Sequence, residues 1–248
     1  MIYIKVFRCN HLQENSILLW DESREGVLVD PGFYWDEEFA ALDESLQKEG
    51  ITLKAIWLTH AHFDHFYGVG PIVFSLPGQP LRGYIGKDWT EVPQPPRGPQ
   101  RLPVYLHSAE QMLLDLSPEM TRPFGLKAPD ATFSYTPVAD GDVLSFGKAS
   151  FRVIETPGHS PGGVCFYDEA DRLFLTGDTL FAGAIGRSDM PGGDYDKLIV
   201  SIMDRLMGLP GDVEVLPGHG GRSDIATERT HNPFLQPFNE PEEETPYL

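Results

Sequence analysis

Alternating apolar and polar positions open the chain: YIKVFRC alternates, NSILLW resumes after a polar break, and GVLVDPG ends on a Pro-Gly turn. That pattern predicts three short strands in an antiparallel meander. WDEEFAALDESLQK, residues 35–48, then sets Phe39, Leu42 and Leu46 at helical spacing with Gly50 as the stop, so a helix over one face of the sheet is expected. KAIWLTH reads as a strand, and VYLH followed by SAEQMLLDLS as a strand and a Ser-capped helix. DVLSFG, FRVIET, VCFYD and RLFLTGD form a second strand series; DYDKLIVSIMDRLM, residues 194–207, is an Asp-capped amphipathic helix, and VEVLPGHG a last strand. Strands first and helices after, twice over, predict two packed sheets with helices outside rather than an alternating parallel βαβ series.

Composition narrows this picture. Residues 77–103 hold seven prolines and four glycines, too many for a helix or central strand, and read as a surface excursion that is either a passive insertion or a lid. The 248 residues suit one domain over 1–235 with an acidic tail at 236–248. A net charge of −18 repels phosphate backbones and anionic lipids, which argues against nucleic acid or a membrane as partner. Two cysteines, Cys9 and Cys165, offer no disulfide framework, and the start MIYIKVFRCN lacks the build of a signal peptide. A cytoplasmic protein with reduced thiols is expected, and nothing in the sequence fixes its oligomeric state.

The candidate chemistry lies in LTHAHFDHFYG, where three of the chain's eight histidines fall within six positions. In an extended loop, residues two apart face the same way, so His60 and His62 can grip one cation together. Asp64 and His65 follow where the chain turns helical, which aims them at a second position. Two imidazoles leave a catalytic zinc short of its usual three protein ligands, so further ligands are expected elsewhere. His159 in ETPGHSPGG, Asp178 in FLTGDTLF and His219 in VLPGHGG each follow an apolar strand on a turn of small residues, which lets backbone approach a crowded site. His11, His107 and His231 carry no such signal.

THAHFDH, PGHSPGG, TGDTLF and PGHG together resemble the metallo-β-lactamase fold hydrolases. TGDTLFAGAIGRSDMPGGD and PGHGGRSDIATERTHNPFL are similar to the glyoxalase II (hydroxyacylglutathione hydrolase) branch, in a form without that branch's helical carboxyl-terminal domain. The resemblance implies a four-layer αββα sandwich of the α/β class. It also implies two divalent metal ions, zinc with iron or manganese as alternatives, the first on His60, His62 and His159 and the second on Asp64, His65 and His219, with Asp178 shared. The expected reaction is attack of a metal-bridging hydroxide on a small-molecule thioester or ester, with Asp64 or Asp178 handling its proton; Arg187, just past GAIG, is the candidate for meeting a substrate anion, with a structural salt bridge as the equal alternative. Two other readings share these motifs: an iron-dependent persulfide dioxygenase and a metal-binding relative without turnover.

Overall fold

The computed structural model describes residues 1–86 and 88–236, so the tail expected at 236–248 lies, Gln236 aside, outside the described residues. The expected meander is β1 (Tyr3–Cys9), β2 (Glu14–Trp20) and β3 (Glu25–Val29), paired antiparallel with Tyr3 opposite Trp20 and Ile17 opposite Val29. α1 (Asp36–Glu49) follows; Glu38 accepts hydrogen bonds from the Tyr34 and Trp35 amides at its start, and Gly50, at φ 65°, closes it. α1 is a crossover, because β4 (Thr52–Trp57) then pairs parallel to β3. Two short helices, α2 (Phe63–Phe66) and α3 (Val69–Val73), and the proline-rich excursion lead to β5 (Val104–His107), parallel to β4. α4 (Gln111–Thr121) and β6 (Thr136–Val138), parallel to β5, complete a six-stranded sheet in chain order.

Three of this sheet's five pairings are therefore parallel, which corrects the expectation that no parallel βαβ series is present: α1 and α4 bury their apolar faces on the sheet by spanning parallel neighbours. Ser108 is not the cap of α4 either. Ser108–Glu110 winds as a 3₁₀ turn, and the His107 Nδ1 atom accepts from the Ala109 amide at 3.3 Å.

The second sheet holds β7 (Val143–Phe146), β8 (Ala149–Glu155), β9 (Val164–Asp168), β10 (Leu173–Gly177), β13 (Glu214–Pro217) and β14 (Ser223–Asp224). Between its members lie a small hairpin, β11 (Leu180–Phe181) with β12 (Ala184–Ile185), and α5 (Tyr195–Ser201), which Asp194 caps and which continues as π-helical turns over Ile202–Leu206. α6 (Ile225–His231) follows β14.

Strand alternation sorts the apolar residues into three cores. On β2, Ile17 and Leu19 face the core between the sheets while Leu18 and Trp20 face the helices; on β9, Val164 and Phe166 face the other sheet while Cys165 and Tyr167 face α5. Three cores require four layers, and the architecture is the αββα sandwich. Cys9 and Cys165 are buried free thiols, and burial pushes the Cys165 thiol up to about 11. No helix among the described residues is long and apolar enough to cross a membrane.

The excursion is anchored. Leu81 and Tyr84 are buried, the Gly83 amide donates to Asp36, and the Tyr84 hydroxyl donates to the Tyr67 carbonyl just beyond α2.

Candidate metal centre

β4 is buried from Ala55 onward and delivers Thr59–His62 in extended form; His62, at φ −68° and ψ 142°, is the last extended residue before α2 carries Asp64 and His65. The remaining candidates come from the other sheet. β8 is antiparallel to β9 and β9 to β10, while β10 is parallel to β13, so β8, β10 and β13 all point the same way. Their carboxyl ends present His159, Asp178 and His219 on one rim, opposite the end of β4.

The rim brings the predicted ligands together. The His62 Nδ1 atom lies 2.8 Å from His159 Nε2, which is 3.2 Å from His60 Nε2. His65 Nε2 and His219 Nε2 are 3.3 Å apart, with the Asp64 Oδ2 atom 3.2 Å from His219. Asp178 stands between the groups: Oδ2 is 3.5 Å from His159 and 3.6 Å from His219, and Oδ1 is 3.4 Å from His65. Gly218 permits this approach, since a Cβ there would sit 2.3 Å from Asp178 Oδ1.

The outer nitrogens show what the inner ones are for. His159 Nδ1 faces the Arg187 carbonyl at 2.7 Å and His219 Nδ1 the Leu12 carbonyl at 3.1 Å; a carbonyl only accepts, so both rings donate outward through Nδ1 and aim Nε2 inward. His65 Nδ1 faces Asp30 Oδ2 at 3.2 Å, with the same result. The Thr59 hydroxyl donates to Asp30 at 2.6 Å and so receives His60 Nδ1–H at 3.0 Å. His60 and His159 thus aim Nε2 at each other, His159 also at Asp178, and the Nε2 atoms of His65 and His219 face the Asp178 and Asp64 carboxylates at 3.4 and 3.2 Å, a donor set that fits divalent cations. The Asp178 Oδ1 atom, buried and without a hydrogen bond among the described residues, fits the same cations.

Electrostatics agree. Burial, with the neighbouring rings, holds His60, His62 and His159 below the ordinary imidazole range, His62 at about 3, so all three are neutral donors of lone pairs. Burial works the same way on His65, but Asp178 and Asp64 outweigh it and raise that ring well above its usual value. Burial would raise the Asp178 and Asp64 carboxyls, yet His65 and its neighbours hold both below the usual range. A pocket that keeps buried carboxylates ionised calls for positive charge.

Three residues of the centre carry no motif of their own. Asp30, at φ 47° before Pro31, orients His65 directly and His60 through Thr59. Glu110 is fully buried; its carboxylate accepts from the Ala61 amide at 2.7 Å and the Gly162 amide at 2.6 Å, strapping the two loops that carry the three-histidine group. The Asn10 side chain donates to the Asp64 carbonyl at 2.9 Å. A carboxylate closing the buried strand in VLVDPG is the one sequence signal that points to Asp30. Asp30→Asn keeps the shape but offers an amide N–H where His65 or Thr59 needs an acceptor, and should weaken metal retention about 10- to 100-fold. Chelator competition measures this; retention equal to wild type would remove Asp30 from the centre. Arg187 is not gathered with the ligands: its guanidinium is exposed and takes Asp189 at 2.7 and 2.8 Å.

Known proteins share this build. The model of the metallo-beta-lactamase superfamily matches residues 9–219. Hydroxyacylglutathione hydrolase GloC of Haemophilus influenzae is 30% identical over 238 residues, covering 94% of this chain and 97% of that protein. Among solved structures, the di-iron-bound form of TTHA1623 is 36% identical at a TM-score of 0.75, covering 93% of this chain and 100% of its own. The BLEG-1 B3 metallo-beta-lactamase is 32% identical at 0.76, covering 94% and 99%. Fold and sequence match together, and the chain belongs to the metallo-beta-lactamase superfamily.

Proposed function

We propose that the protein is a metal-dependent hydrolase that cleaves a thioester, or an ester of similar size, in the manner of a hydroxyacylglutathione hydrolase. The observation that carries this reading is Asp178, whose carboxylate reaches His159 of one cluster and His65 and His219 of the other. Cations held there supply an activated water and polarise a carbonyl. His60, His62 and His159 would hold one cation and Asp64, His65 and His219 a second, with Asp178 within reach of both groups. The water's oxygen bonds to the acyl carbon, the carbon–sulfur bond breaks, and the thiolate leaves without a general acid. Asp64 or Asp178, each ionised, would take the water's proton at a carboxylate oxygen and pass it to solvent. Arg187 contributes its carbonyl to His159, and its guanidinium would exchange Asp189 for a substrate anion.

Elemental analysis of the purified protein, paired with thiol release from S-lactoylglutathione and ring opening of a β-lactam, tests the reading. Two metal ions per chain and thiol release well above β-lactam cleavage are expected. Faster β-lactam cleavage overturns it, as would one iron per chain with oxygen uptake on glutathione persulfide and no thiol release.

A further inference from the structure

The Asp64, His65 and His219 group spans both sheets: the first two residues follow β4, the third follows β13. Its geometry therefore depends on whatever fixes one sheet's rim against the other's. The start of β2 does this. Its main chain serves the second sheet, where Glu14 bridges His219 and the Asn15 amide donates to the Gly218 carbonyl at 2.7 Å. The Asn15 side chain adds bonds to the Pro217 and Gly220 carbonyls, both at 3.0 Å, so the turn that carries His219 is gripped on either side of the ligand.

The Glu14 side chain serves the first sheet. It is fully buried, and its Oε2 atom accepts the Ser16 hydroxyl at 2.7 Å. That hydroxyl accepts the Gly32 amide at 2.8 Å, which leaves its own proton for Glu14. Gly32 closes the turn after Asp30, and its amide also donates to the Asp30 carbonyl at 2.9 Å. Asp30 stands at φ 47°, a region that a residue with a side chain enters at a cost, so its conformation has to be held from outside. Holding Gly32 holds Asp30, and Asp30 orients His65.

The same glycine brings in Asp64. A Cβ on Gly32 would collide with both Glu14 Oε2 and the Asp64 carbonyl, so the carboxyl and the ligand-bearing loop close on each other across it. The three-histidine group is reached only at a remove, through Asp30 and Thr59 to His60. A carboxyl buried this completely costs stability that an apolar side chain of its size would not. We propose that Glu14 is the positioning residue of the second cation position, joining the His219 turn through its main chain to the Asp30 and Asp64 loops through its side chain. The assignment rests on the two-cation part of the hydrolase reading and is independent of the substrate.

Zinc affinity, read by competition with a chromophoric chelator in two backgrounds, tests it. His159→Ala leaves only the second three-ligand set whole, and His219→Ala only the first. Glu14→Ala and Ser16→Ala should each weaken zinc about tenfold in the His159→Ala background and less than about threefold in the other. Glu14→Gln keeps an acceptor for Ser16 and should restore affinity to within about threefold of its parent. Ser16→Ala removes a single hydroxyl and carries the test if circular dichroism shows Glu14→Ala unfolded. Equal weakening in both backgrounds, no weakening in either, or a Glu14→Gln variant as weak as Glu14→Ala would overturn the assignment. Selective weakening in a protein that cleaves no thioester would leave Glu14 in its role and sink the hydrolase reading alone.

Discussion

Alanine at position 178 is expected to cost the protein both its metal ions and its turnover together. The Asp178 carboxylate lies within 3.6 Å of candidate ligand nitrogens from both clusters, so its loss would remove the charge that draws two cations together. Activity should fall on the order of 10³-fold or more, the scale on which a preorganised charge at the reacting centre matters. Asp178→Asn, nearly the same shape without the charge, separates geometry from electrostatics and should retain at most part of the metal. Metal per chain after dialysis, with circular dichroism to confirm the fold, reads the result; two ions retained by the alanine variant would end the shared-carboxylate assignment.

The second large effect is expected at Glu110, far from any motif. Its two carboxylate oxygens take the amides of Ala61 and Gly162, one from each loop of the three-histidine group. Burial raises this carboxyl, and the two amide hydrogen bonds work against that rise. Glu110→Ala leaves two buried amides unpaired, about 2–4 kcal/mol of stability, or roughly 4–8 °C in Tm for a chain of this size. Glu110→Gln is the sharper variant: its carbonyl serves one amide while its NH₂ opposes the other, so one loop is released with little loss of volume. The His60–His62–His159 position should then lose affinity about 10- to 100-fold while the His65–His219 position keeps its ion. Equal weakening of both positions would show Glu110 to be a stabiliser of the fold at large.

The ligands were legible because each stands at the end of an apolar strand on a turn of small residues, a local pattern that survives without knowledge of the fold. Asp30, Glu110 and Asn10 were not, because their partners lie 35, 49 and 54 residues away and only tertiary pairing reveals them. Five strands of the first sheet are legible in the sequence; the short β6 and the strand directions are not. Alternation marks a half-buried strand, whereas β3 and β4 are buried on both faces near the rim, where neither alternation nor composition tells parallel from antiparallel. Arg187 carries a second link to the centre that no sequence signal marks: its main-chain carbonyl faces His159, while its guanidinium pairs with Asp189.

That the rim draws on the ends of β4, β8, β10 and β13 has a consequence in time. A chain leaving the ribosome presents His60 and His62 early, but the first cation position closes only when His159 emerges and β8 has paired. Asp178 arrives next, and the second position waits for His219, behind nearly nine-tenths of the chain. Loading is thus ordered by synthesis, and a truncated chain ending before β13 would carry one complete three-ligand set and one that never closes.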